Sequence, residues 1–232
     1  MPDPHSAGRM PVVAQAVQAL HDKVGKTIPV IAAIVSPFEF AVRSRSMERV
    51  MKDIVTKPDL LRKVFYFAVK VEIEYGKTLI EAGADAIFLV DGSSQFEVLG
   101  PKLYETFSMP YTKGLVTNLG ASTILHICGN STRILDKMAE TGATALSVDH
   151  AVRISEAKTI VKERAAIVGN VDPTRSLFIG TPQEVEEEAK NCIAEGTDVL
   201  APGCGYSPKT SLENMRAIVS AAHKYGKKQR RY

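Results

Sequence analysis

The chain has 232 residues, 45% of them hydrophobic and 24% charged, with a formal net charge of +3. This is an ordinary globular balance, long enough for one substantial core, and the charge is too weak to argue for nucleic acid. Three cysteines, no tryptophan and 6% aromatic residues argue against a disulfide framework and against a stacking surface for single-stranded nucleic acid.

No run approaches the ~18 apolar residues of a membrane span. Met1-Pro2-Asp3-Pro4-His5 lacks the charged and apolar regions of a secretory signal. With an odd cysteine count, that fits a reducing cytoplasm. Lys227, Lys228, Arg230 and Arg231 cluster at the C-terminus. They read either as a solvated run or as a docking patch for an acidic partner.

Along the chain, Val12, Val13, Ala16, Val17, Leu20 and Val24 recur at helical spacing. Pro29–Ser36 follows as the first short apolar strand. Pro58–Ala82 places Leu60, Leu61, Val64, Phe65, Ala68, Val71 and Tyr75 on one helical face. Asp85–Asp91, Ser122–Cys128, Ala145–Asp149 and Ala165–Asn170 read as further strands. Thr181-Pro182-Gln183-Glu184 is a capping box with proline at the first helical position. Asp198–Ala201 is a sixth strand, and Ser207-Pro208 opens a last helix to about His223. Gly83, Gly142 and Gly196 fall where helices end. The segments around them resemble one another, each a helix end turning into a strand.

Continuous apolar strands alternating with helices predict a parallel sheet covered on its faces. No Gly-x-Gly-x-x-Gly follows a strand, so a (β/α)8 barrel is favoured over a dinucleotide-binding sheet. Six strands fall short of eight. Residues 1–232 therefore read as one barrel domain, the C-terminal portion of a full barrel, with the rest supplied by a longer polypeptide or a second chain. A homo-oligomer also fits.

Chemistry in such barrels sits at the C-terminal strand ends, where Asp91, His126, Cys128, Asp149, Asn170 and Cys204 fall. Residues i and i+2 of a strand share a face, so His126 and Cys128 aim at one point. With Cys204 they would form an N/S/S set that leaves a tetrahedral zinc one open position. Taken singly, each cysteine is more simply a small core residue. Cys192 reads as core or surface. His150 reads as an alternative ligand or base, or as a solvated loop residue. Asp91 could instead cap the turn that follows it.

Several segments resemble the uroporphyrinogen decarboxylase superfamily and its methyltransferase relatives, over nearly the whole chain. They are Asp3-Pro4…Gly8-Arg9-Met10-Pro11, Ser36-Pro37-Phe38, Gly83-Ala84-Asp85-Ala86, Pro101…Phe107…Pro110-Tyr111 and Gly169-Asn170-Val171-Asp172-Pro173. The family's N-terminal portion has no counterpart here. Decarboxylases carry histidine in the last Gly-His-Gly turn, where this chain has Gly203-Cys204-Gly205. The methylcobamide:coenzyme M methyltransferase branch shows His-x-Cys and a distant second cysteine, as here, where Cys204 follows Cys128 by 76 positions.

The resemblance implies zinc on His126, Cys128 and Cys204, and methyl transfer from a methylated corrinoid protein to a thiol or tetrahydrofolate. Asp91 or Asp149 would orient the His126 ring or serve as a transient fourth ligand. Asn170 would hydrogen-bond substrate, and Arg9 would hold an acidic group of the acceptor. The rival readings are a tetrapyrrole decarboxylase and a non-catalytic subunit that binds a corrinoid protein.

Overall fold

The computed structural model describes residues 1–226. The basic cluster at Lys227, Lys228, Arg230 and Arg231 lies outside the described residues. The chain opens with helix α1 (Met10–Val24), then strand β1 (Ile31–Val35) and helices α2 (Pro37–Arg45), α3 (Met47–Thr56) and α4 (Pro58–Glu81). Strand β2 (Ala86–Asp91) precedes α5 (Phe96–Phe107) and α6 (Met109–Leu119); β3 (Ser122–Ile127) precedes α7 (Leu135–Ala139). Strand β4 (Ala145–Val148), α8 (Ile154–Val161), β5 (Ala166–Val168), α9 (Pro182–Glu195) and α10 (Leu212–Tyr225) complete the strands and α-helices of the described residues.

The five strands form one parallel sheet in the order β1-β2-β3-β4-β5. Each neighbour follows the last in sequence with helices between, the winding of an α/β barrel segment. In β1 and β2 alternate residues are buried: Ala32, Ile34, Ile87 and Leu89 pack into the core cluster with Phe38, Phe65 and Leu115 from the helices. The opposite face is only partly covered, and Ile31 is 51% exposed. The helices therefore pack on one side, and the other side is the concave face of an open barrel.

The sixth expected strand, Asp198–Ala201, does not form a ladder. It makes isolated bridges to β5 and the residues just after it, Val168 to Val199 and Val171 to Pro202. Proline has no N–H to donate. The segment still follows β5, because Gly169 N–H donates to Val199 O at 2.9 Å and Val171 N–H to Ala201 O at 3.1 Å.

Helix boundaries follow their caps. Thr181 and Glu184 form the expected reciprocal box at the start of α9. Gly83, Gly142 and Gly196 take φ of 102°, 81° and 102°, as the repeated helix-to-strand turns require. The last helix starts later than expected. Ser207–Thr210 closes a turn of its own, and Ser211 Oγ accepts from Asn214 N–H at 3.1 Å, so the cap is Ser211 and the helix begins at Leu212.

Candidate metal centre

Strand β3 pairs with β4 in a register that sets His126 opposite Ser147. The ring's Nδ1 lies 3.2 Å from the Ser147 carbonyl oxygen and 3.1 Å from Ser147 Oγ. A carbonyl only accepts, so it places the ring proton on Nδ1 and leaves the Nε2 lone pair free. Burial lowers the pKa of His126, which keeps the imidazole neutral, the state a metal ligand needs. Nε2 points at Cys128 Sγ, 3.3 Å away, and Cys128 Sγ lies 3.6 Å from Cys204 Sγ.

These spacings suit a common ion. Zinc–sulfur bonds of about 2.3 Å at tetrahedral angles put ligand atoms about 3.8 Å apart. A disulfide would need about 2.05 Å, and both cysteines are free thiols. The three donor atoms all lie within 4.8 Å of one another, the one such group of His, Cys, Asp or Glu among the described residues. Burial, the adjacent Cys204, and the charges of Asp149 and Glu39 push the Cys128 thiol up to about 12. A divalent cation reverses that balance, because a coordinating thiol is deprotonated outright. The donor set is thus chemically matched to zinc.

The second cysteine reaches the site through a close backbone approach. A Cβ at Gly203 would stand 2.5 Å from the His150 backbone nitrogen, so only glycine lets this loop lie against the end of β4. On the other side, Gly129 has φ of 74° and its N–H donates to Asp149 Oδ2 at 3.0 Å. That bond ties the turn after Cys128 to β4.

Other expected roles change. Neither Asp91 nor Asp149 is hydrogen-bonded to the His126 ring; Ser147 is. Asp91 caps the next turn, accepting from Ser94 N–H at 3.0 Å and from Ser108 Oγ at 3.3 Å. Burial pushes its carboxyl up to about 6 against the pull of Ser94 and Ser36. Asp149 accepts from Ala151 N–H at 3.1 Å besides Gly129, and its Oδ1 lies 2.8 Å from His150 Nδ1. Asn170 spends its amide N–H groups on the carbonyls of Asp149 and Val152, at 2.9 and 2.6 Å, so it is not free for substrate. Its oxygen accepts from the buried Cys192 thiol at 3.6 Å. His150 sits between Asp149 and Asp172.

Arg9 does not fold over the site. It is exposed at the start of α1, where Pro4, His5 and Pro11 share a cleft with Thr78, Glu81 and Ala82 at the end of α4. That end of α4 leads into the start of β2, at the opposite end of the strands from the candidate metal centre.

Two site residues have no motif in the sequence. Ser147 is the lone polar residue of β4 (Ala-Leu-Ser-Val), a signal only when β4 is known to pair with β3. Glu39 lies in the first turn of α2, 7% exposed.

An N/S/S set at the strand ends of a parallel sheet segment places a candidate metal site where α/β barrels carry their chemistry. The chain belongs to the uroporphyrinogen decarboxylase (URO-D) family, whose profile matches residues 1–225. It is 36% identical over 221 residues to the methylcobamide:CoM methyltransferase MtbA of Methanosarcina mazei, covering 94% of this chain and 65% of that protein. It is 34% identical over 218 residues to the methylcobamide:CoM methyltransferase MtaA of Methanosarcina barkeri, covering 94% and 64%. A solved methyltransferase from Methanosarcina mazei matches with a TM-score of 0.94 at 34% identity, covering 97% of this chain and 67% of that one. The chain therefore spans less than two thirds of the curated relatives' length.

Proposed function

We propose that this chain holds zinc on His126, Cys128 and Cys204 and moves a methyl group from a methylated corrinoid protein to a thiol acceptor. The mutual approach of the three donor atoms carries the reading; the names of the similar methyltransferases support the donor and the acceptor class. A zinc ion there supplies the Lewis acidity that turns a thiol, with an ordinary pKa of about 8.5, into a thiolate near neutral pH. His126 stays neutral, held by Ser147, and Cys128 and Cys204 contribute two anionic sulfurs. Asp149 fixes the Gly129 turn, and Gly203 allows Cys204 its place. The acceptor sulfur forms a bond to the methyl carbon as the carbon–cobalt bond breaks, its electron pair remaining on cobalt. The corrinoid comes with its own protein, so this chain supplies position and charge. Tetrahydrofolate is the alternative acceptor.

Elemental analysis and transfer assays test this. Cys128→Ala and Cys204→Ala should each lose zinc and methyl transfer together; full zinc in either variant overturns the site. A decarboxylase would keep activity in Cys204→Ser. Three free cysteines support a reducing compartment such as the cytoplasm; no helix of the described residues is long and apolar enough to cross a membrane.

A second reading rests on the open sheet and the shared length. The described residues form five paired strands, fewer than a closed barrel has, and a strand-bearing complement, from a longer polypeptide or a second chain, would cover the sheet's edges. Without that complement the chain would bind the corrinoid protein and not turn it over. Turnover of a methyl-corrinoid donor by the isolated chain decides between the two.

A further inference from the structure

The helices between β1 and α4 carry a charge that the rest of the chain does not. Residues 43–63 hold seven basic and three acidic side chains, a local +4 in a chain whose total is +3. Everything outside this stretch is therefore net negative. Arg43 is paired with Glu39, and Arg45 is paired with Asp53, which ties α2 to α3. Arg49, Lys52 and Lys57 are exposed and have no ion pair among the described residues. With Arg45 they line a cleft of about 300 Å³ along α3. Val55, three positions after Lys52 on the same helix, is 81% exposed.

This patch stands at the end of the strands that carries the candidate metal centre. Strand β1 runs into α2 through the Ser36 cap, and Glu39 lies in the first turn of α2 with an unpartnered Oε2. A Cβ at Gly92 would lie 3.8 Å from that oxygen and 3.9 Å from Cys128 Sγ, so α2 begins beside the donor atoms. Helix α4 has 24 residues, about 36 Å of length, whereas β1 has five, about 17 Å. Since α4 ends next to the start of β2, its first turns project past the C-terminal strand ends, together with α2 and α3.

We propose that this basic cleft docks an acidic face of the methylated corrinoid protein and so orients its cobalt toward the metal centre. The inference rests on the function proposed above, which requires a second protein at that opening. A partner that brings cobalt to the strand ends must pass alongside α2 and α3, where unpaired positive charge meets it. Such charge steers encounter and fixes orientation more than it adds affinity. A lipid surface fitted to the same rim would cover the opening and shut the donor out.

The test is a dissociation constant, measured by calorimetry between the zinc-loaded chain and a purified methylated corrinoid protein at low and at high ionic strength. The double variant Lys52→Glu, Lys57→Glu should weaken binding by about tenfold or more at low ionic strength. Most of that difference should vanish at high salt, where exposed charges are screened. Zinc content and far-ultraviolet circular dichroism should match wild type. Unchanged binding overturns the proposal, and so does equal weakening at both ionic strengths, which marks a structural effect. If the double reversal fails to fold, Arg49→Gln with Lys52→Gln carries the same test, with a smaller loss of the same salt dependence. Phosphatidylglycerol vesicles are the competing probe. Vesicle capture of the wild type, lost in the double variant while corrinoid-protein binding persists, assigns the patch to a lipid surface and overturns the proposal. The underlying function fails separately. A wild-type chain that binds the corrinoid protein through these lysines yet transfers no methyl group overturns the function and leaves the docking site standing.

Discussion

Both Nδ1 contacts of the His126 ring come from one residue, Ser147. Ser147 offers it a carbonyl and a hydroxyl, the partner pair that metal-bound histidines need for a fixed tautomer. Ser147→Ala removes only the hydroxyl, so metal affinity in a chelator competition should fall by about tenfold, the low end for such partners. No change would mean that the carbonyl alone orients the ring. Glu72 makes a second residue-scale prediction. It lies buried on α4 with Oε2 unpartnered, and burial lifts its carboxyl from 4.5 to about 8, partly offset by the Val35 N–H and Arg43. The folded pKa is above the unfolded one, so the fold favours the neutral acid. This contribution is full below about pH 4.5, is lost as pH rises toward about 8, and then levels. Glu72→Gln should therefore match wild type in denaturant stability at pH 4 and exceed it by about 3–5 kcal/mol at pH 9. A difference that does not grow with pH would show that Glu72 keeps its charge.

Elements bring the three donors together through their ends. Strand β3 delivers His126 and Cys128 by simple alternation, and the segment after α9 delivers Cys204 by hydrogen bonds to β5 and the close approach at Gly203. Gly203→Ala should push this loop off the His150 backbone. The expected result is loss of metal binding with far-ultraviolet circular dichroism retained; retained zinc would show that the loop can yield. The start of α9 is a separate case, remote from the chemistry. Thr181→Ala removes the hydroxyl arm of the capping box and leaves the Thr181 N–H bond to Glu184, costs about 1 kcal/mol and should lower Tm by roughly 2–4 °C for a chain of this size. Metal content should not move.

At the scale of the molecule, the sheet formed by the described residues has two unclosed sides. Ile31 on β1 and Val199 beside β5 are 51% and 52% exposed. Unpaired strand edges recruit other strands. The isolated chain should self-associate at micromolar concentration in size-exclusion chromatography with light scattering, and Ile31→Lys should shift it toward monomer. A wild-type chain that stays monomeric would show that these edges are too short or too twisted to pair. The strands themselves were legible from apolar runs, because both faces of β1 and β2 carry mostly apolar side chains even where the inner face is only partly covered. The sixth was over-read. Asp198–Ala201 has the composition of a strand, but its ladder depends on a neighbour and on Pro202, and composition does not report pairing.

The amino-acid sequence alone determined the repeated βα plan, the capping box at Thr181 and the three candidate donors, since each depends on local spacing or on residue chemistry. Tertiary structure alone decided which groups serve those donors. Asp149 was legible as an acid at a strand end, but its bond to Gly129, the loss of Asn170 to backbone carbonyls, the choice of Ser147 over two aspartates and the free oxygen of Glu39 all arise between distant segments. Hydrogen-bond partners across strands are set by register and loop packing, and neither leaves a periodic trace in the chain.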